Sequence, residues 1–287
     1  MTQQSITTTE ALPRQADELA DPVSPETHGS RRVLGDIWHA LRVMLANWPA
    51  LIVLALFATS AIVVPTTTDI ATTDDWAYTR SVELLYWDVE LRIFPVVAAT
   101  AVAQVLWGGL FALIFGMELS VMRLSTVVMV ALGSVALYSL LRQLGVTRSR
   151  STLGMAIYLF NPLTFVLAFT FMTDPHFTSV MLIAVALYVR GLDPAQRRPW
   201  VIIVASLFAG FAFLLRQQGA LIPLAVGLYL LLAGRLRFNR ASLRLVLQVA
   251  ALPAFMLLSY YAWLRFVNEV PEVQSAFLRD AVENAGW

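Results

Sequence analysis

Polar residues fill the first thirty positions, and from about residue 49 onward long apolar runs alternate with short polar breaks. Eight runs stand out, over 49–65, 95–116, 124–141, 154–172, 175–192, 199–215, 219–233 and 245–264. Backbone inside a bilayer must satisfy its own hydrogen bonds, so runs of this kind become helices. A crossing takes about 20 residues, and several of these runs need flanking residues to complete one. Ahead of the first run, Leu34, Ile37, Trp38, Leu41, Leu45 and Trp48 recur at helical spacing. They predict a helix on the cytoplasmic surface that leads into the first span. Residues 1–30, rich in Thr, Pro and acids, hold no apolar core of signal-peptide type and predict a disordered cytoplasmic tail.

The arginines decide which runs cross. Basic residues concentrate in cytoplasmic loops. They cluster here at Arg31, Arg32 and Arg42, at Arg142, Arg148 and Arg150, at Arg190, Arg197 and Arg198, and at Arg235, Arg237, Arg240 and Arg244. Two runs separate each of the last three clusters, which puts them on one side. Three runs lie between the first cluster and the second, so one of those three does not cross. The run 95–116 is the exception: it starts at Pro95 and carries Gln104 and Gly108-Gly109. It also follows an amphipathic stretch whose Tyr78, Val82, Leu85, Tyr86, Val89 and Ile93 share a helical face. Residues 73–116 therefore read as helices lying in or dipping into the outer interface. The predicted fold class is all-α: a polytopic transmembrane bundle of about seven spans within residues 31–264, with interfacial helices in the first outer loop. Its N-terminus is cytoplasmic, and residues 265–287 form an outer-face tail of this inner-membrane protein.

Composition agrees. Apolar residues make up 58% of the chain and charged residues 14%, against about a quarter charged in a soluble domain. The absence of cysteine excludes disulfides, thiolate metal sites and thiol nucleophiles. A net charge of +1 gives no sign of a nucleic-acid partner.

Three outer-face features carry candidate chemistry. The first, Thr72-Thr73-Asp74-Asp75-Trp76-Ala77-Tyr78-Thr79-Arg80, follows the first span. The second is Met172-Thr173-Asp174-Pro175-His176, and the third is Arg216-Gln217-Gln218. Carboxylates at a membrane boundary are costly and mark candidate sites. Thr73 or Asp74 equally suits a helix cap. Asp174-Pro175 suits a helix start, and Arg216 an interfacial anchor that snorkels. Asn161-Pro162 lies mid-span and predicts a bend. Taken together, the features fit a sugar linked to a lipid phosphate. The acceptor needs a base, which a carboxylate supplies. The phosphate needs a cation, and arginine offers a planar two-pronged donor. The lipid tail needs a groove between helices.

The order of these pieces resembles the GT-C superfamily of polyprenyl-phosphate-sugar-dependent glycosyltransferases, nearest to its protein mannosyltransferase and aminoarabinose transferase branch. The resemblance runs from about residue 50 to 235. It rests on Asp74-Asp75-Trp76-Ala77-Tyr78 after the first span, then Phe115-Gly116, Arg123-Leu124-Ser125, Leu141-Arg142, Asn161-Pro162 with Asp174-Pro175, and Arg216-Gln217. It implies that Asp74 is the catalytic base, with Asp75 and Asp174 as further acidic catalytic candidates. It also implies that Arg216 contacts the lipid phosphate in an inverting displacement at the anomeric carbon. Tyr78, Arg80, His176 and Gln217 join Arg216 as substrate-binding candidates. Some relatives use a divalent metal; the carboxylates and His176 offer donors, but their spacing defines no site. The expected partners are membrane lipid, a polyprenyl-phosphate-linked sugar and, as an open alternative, a second membrane subunit. Family members commonly continue for several more spans. A catalytically inactive or split module that binds lipid phosphate or a partner is therefore the alternative reading. A lipid or solute transporter is a third, weakened by the uncharged runs 124–141, 199–215 and 245–264.

Overall fold

In the computed structural model of the chain, the described residues are 46–64, 70–72, 74–237, 239–268 and 270–276, and their regular secondary structure is entirely helical. In order come α1 (Trp48–Val63), α2 (Asp75–Trp87), α3 (Val102–Phe115), α4 (Leu119–Gln143), α5 (Arg148–Phe160), α6 (Pro162–Ala168), α7 (Thr173–Gly191), α8 (Pro199–Leu215), α9 (Leu221–Leu232) and α10 (Arg240–Trp263). A 3-10 turn, Gln217–Ala220, joins α8 to α9, and a π-helical turn, Leu264–Asn268, extends α10. The predicted tail over residues 1–30 and the lead-in helix up to Leu45 lie outside the described residues.

By length and apolarity, α4 and α10 with its π turn suffice to cross a membrane, and α5 with α6 makes a third if the bent pair is one span. The bend is 60° and falls at the predicted Asn161-Pro162. Pro162 has no N–H to continue α5. The Asn161 side chain instead accepts from the N–H groups of Leu163 and Thr164 and starts α6. Helices α1, α3, α8 and the segment Gln217–Leu232 are apolar but shorter. At 1.5 Å per residue, the 14 residues of α3 rise about 21 Å, less than the roughly 30 Å of a hydrocarbon core. Its Leu106, Leu110, Leu113, Ile114 and Phe115 face outward, as do Leu224, Leu228 and Leu231 of α9 and Leu247, Phe255 and Leu258 of α10. An apolar exterior on this scale suits lipid as solvent.

The inner packing centres on α7, held between α4 and α8, with α10 against α8. Close approach depends on small residues. Pro253 within α10 leaves the Val249 carbonyl, four residues back, without its helical donor. The hydroxyls of Tyr188 and Ser206 donate to that carbonyl at 2.9 and 3.0 Å. A helix-breaking residue is thereby tolerated inside the bundle, and α10 is fastened to α7 and α8 at the same point.

Two expectations for the first outer loop need correcting. Helix α3 begins at Val102, not just after Pro95. The backbone at Ala101 is left-handed (φ 54°), its N–H bonds to Leu215 O, and the Thr100 hydroxyl bonds to Phe213 O. Thr100 and Ala101 thus bond to the end of α8, and the carbonyls of Pro95, Val97, Ala98 and Ala99 accept from Val273, Gln274 and Gln217 in place of a helical ladder. Likewise α2 stops at Trp87. Tyr78 and Val82 are buried as the amphipathic pattern requires, but Val89 has φ 56° and is exposed. Ile93 reaches the core from a loop and not from the helix face.

At Gly133 a Cβ would sit 2.5–2.7 Å from Ser179, side chain and backbone alike, where α4 meets α7. Gly133→Val is expected to force the two helices apart and lower stability by about 1–3 kcal/mol, measured as a fall in the thermal unfolding midpoint in detergent.

Candidate active site

The site begins with an ion pair inside the bundle. Asp75 is 0% exposed and Arg123, in the second turn of α4, is 3% exposed, with 3.3 Å between Arg123 Nη2 and Asp75 Oδ2. The other Asp75 oxygen accepts from the Thr72 N–H at 2.8 Å, and Arg123 Nη2 also donates to Ile70 O at 2.7 Å. The segment leading into α2 is therefore pinned to α4 at two points, through Asp75 and Ile70, and Thr72 is folded onto Asp75. A helix turns about 100° per residue, so the neighbouring carboxylate points elsewhere: Asp74, at the cap position of α2, is exposed. Its side chain makes no capping bond.

Asp74 opens onto a cavity of about 810 Å³, which also takes in Tyr78, Met172, Asp174, Arg216, Gln217 and Gln218. Asp174 lies in the first turn of α7 and pairs with Arg216, the residue that ends α8. The turn after Arg216 is tight because Gly219 lies against α8; a Cβ there would be 2.1 Å from Phe213 N. Gln217 donates to Ala98 O at 3.0 Å, which ties this turn to the first outer loop. Burial pushes the Tyr78 phenol above its usual pKa of 10, and a hydrogen bond with Thr173 and the Arg216 guanidinium pull it partly back. Tyr78 accordingly stays neutral at physiological pH, a hydrogen-bonding group and not a base.

The remaining wall comes from the end of the described chain. Tyr260, Tyr261, Leu264, Arg265, Val270 and Gln274 line it. Gln274 is buried, and its amide donates to Ala99 O at 2.8 Å while accepting from the Tyr260 hydroxyl at 3.2 Å. Asn268 accepts from the Ile93 N–H at 3.3 Å. The expected outer tail thus packs back onto loop 93–99 as far as Gln274.

The structure brings five sequence candidates to one cavity: Asp74, Tyr78, Asp174, Arg216 and Gln217. Three lie elsewhere. Asp75 is taken up by Arg123. Arg80 faces outward and pairs with Glu83 at 2.7 Å. His176 is fully buried, bonded through Nδ1 to Met172 O at 2.9 Å and set edge-to-face against Phe171. Among the described residues no three His, Asp or Glu side chains are grouped to hold a metal. With Asp174 committed to Arg216 and His176 turned away from the cavity, the donors do not fit one. Residues missed from sequence are Arg265, Tyr260, Tyr261 and Gln274. Arg265 carried a readable signal, since the topology expected from the arginine clusters puts it on the outer side, the same anomaly that marks Arg216.

A second, mostly apolar cavity of about 1000 Å³ runs along α7 beside α9, from Arg190 and Asp193 at one end to Gln218 at the other. Gln218 borders both cavities.

A family match places this apolar helical chain among the membrane glycosyltransferases of the GT-C type. The chain belongs to the dolichyl-phosphate-mannose-protein mannosyltransferase family, whose model matches residues 101–267. The match contains Asp174, Arg216 and Arg265, and Asp74 precedes it. No curated protein and no solved structure matches the chain.

Neighbouring aspartates in such different settings should respond differently to the same substitution. Asp75→Asn takes from the buried Arg123 guanidinium its Asp75 carboxylate partner and is expected to cost about 3–5 kcal/mol. Asp74→Asn is expected to leave unfolding unchanged. Thermal denaturation of both variants in one detergent checks the contrast.

Proposed function

We propose that this chain transfers a sugar from a polyprenyl-phosphate donor to an acceptor on the extracytoplasmic face of the cell membrane. One observation carries the reading. In a chain of the mannosyltransferase family, a carboxylate without an ion-pair partner among the described residues, Asp74, opens onto the same cavity as the Asp174–Arg216 pair, at one end of an apolar bundle.

In this reading Asp74 accepts the proton of the acceptor's hydroxyl or amine as its heteroatom attacks the anomeric carbon. The bond from that carbon to the phosphate oxygen breaks, and polyprenyl phosphate leaves with the electron pair. A single displacement inverts the anomeric configuration. Arg216, steadied by Asp174, offers N–H donors to the charge that builds on the leaving oxygen. The rings of Tyr260 and Tyr261 present flat apolar surface to the sugar. The polyprenyl tail occupies the apolar cavity between α7 and α9, whose border at Gln218 adjoins the charged one.

The proposed topology has seven crossings, a cytoplasmic N-terminus, and 95–116 kept at the outer interface. The arginine-rich loops then share the inner side. Two contacts at that end support the grouping: Arg235 donates to Leu192 O at 2.7 Å, and Arg197 to Gln248 at 3.1 Å.

In this cysteine-free chain, single cysteines at Thr72, Thr173 and Gln217 are expected all to react with an impermeant thiol reagent in whole cells. Reaction at Thr72 alone would put 95–116 across the bilayer and divide the site. For the chemistry, Asp74→Asn is expected to lower the release of polyprenyl phosphate from polyprenyl-phosphate mannose by about 10²–10⁴-fold, with the protein still inserted. Undiminished release would remove Asp74 from the role of base.

A further inference from the structure

Among the described residues, four charged side chains line the charged cavity: Asp74, Asp174, Arg216 and Arg265. Two of them, Asp174 and Arg216, are bound to each other. Arg265 is exposed and forms no ion pair with any described residue. It is carried on the π-helical turn that ends α10. A lone exposed arginine would be unremarked on a soluble surface. This one is held in place at the cavity wall. Asn268, at the end of the same turn, is 8% exposed and accepts from the Ile93 N–H. Gln274, also 8% exposed, clamps the following segment to Ala99. A short turn fixed at both flanks presents its charge in one place at little further entropic cost.

Resting on the donor class proposed above, we infer that Arg265 is the principal phosphate-binding residue for the donor and for the polyprenyl phosphate that leaves. An anion entering the cavity meets one guanidinium already neutralised by a carboxylate and one that is not. Arg216 must weaken its hold on Asp174 to bind a phosphate fully, and Arg265 has no such competitor. The uncompensated charges facing the cavity are then one acid, Asp74, suited to the acceptor's proton, and one base-stable cation, Arg265, suited to the leaving phosphate. Arg216 becomes the secondary contact, held near by Asp174.

The test measures binding directly, so it does not depend on finding the acceptor. The full chain is placed in nanodiscs of zwitterionic lipid and titrated with farnesyl phosphate, farnesol and inorganic phosphate. The variants are Arg265→Gln, Arg265→Lys and Asp74→Asn, each first shown to unfold at the wild-type temperature. Farnesyl phosphate is expected to bind Arg265→Gln at least about tenfold more weakly than wild type. Arg265→Lys is expected to recover part of the loss, and Asp74→Asn, which removes a negative charge from the same cavity, to bind at least as tightly as wild type. Farnesol is expected not to distinguish wild type from Arg265→Gln. Equal affinity of wild type and Arg265→Gln for farnesyl phosphate would overturn the assignment and leave the donor class intact. Failure of wild type to bind farnesyl phosphate would overturn the donor class and the assignment with it. Inorganic phosphate binding as tightly as farnesyl phosphate would show a free-anion site and overturn the lipid-phosphate role.

Discussion

Two opposite charges buried side by side organise the cavity end of this protein. Placing Asp75 and Arg123 in an apolar bundle is expensive, since each ion loses its water, and the cost is offset only if both are well bonded. Here the carboxylate holds Arg123 and the Thr72 N–H, and the guanidinium holds Asp75 and Ile70 O. The consequence is geometric. The chain entering α2 is locked to α4, α2 lies over α3, and the residue before Asp75 is turned toward the open cavity. Removing either buried charge would leave Asp74 chemically unchanged and no longer aimed.

Around that anchor the charges are divided between structure and reaction. Of the three carboxylates considered from sequence, one is buried in a pair, one is half-exposed in a pair, and one has no ion-pair partner among the described residues. Only the last suits proton transfer without first breaking an ion pair. The helices supply the other requirement, a dry groove next to a polar chamber. A glutamine, which is polar and uncharged, stands at the boundary between them.

Much of this was legible in the chain. The apolar runs give the helices, Asn161-Pro162 gives the bend, and the spacing of the arginine clusters predicts that Asp74, Asp174 and Arg216 meet at one end. What failed was mostly a matter of helical phase. Asp74 and Asp75 are interchangeable as letters; the 100° between them decides which is buried. His176 looked like a partner for Asp174. It is three residues after Thr173 and shares that residue's inward face, where both are buried. Residues 95–101 read as the start of a helix because nothing local reveals that their backbone would bond to the end of α8, to Gln217 and to the segment around Gln274. Gln274 had no local signal, because its partners lie 175 and 177 residues away.

That separation bears on how the protein is made. Loop 93–99 leaves the ribosome early, and the glutamine that clasps it leaves 175 residues after Ala99. At about 5–20 residues per second the delay is roughly 9–35 s. During that interval every helix up to α10 can enter the membrane and pack, while the chamber above them stands open on one side. The site is thus the last part of the described fold to be completed. A nascent chain completes its charged chamber only once α10 and the segment after it have left the ribosome.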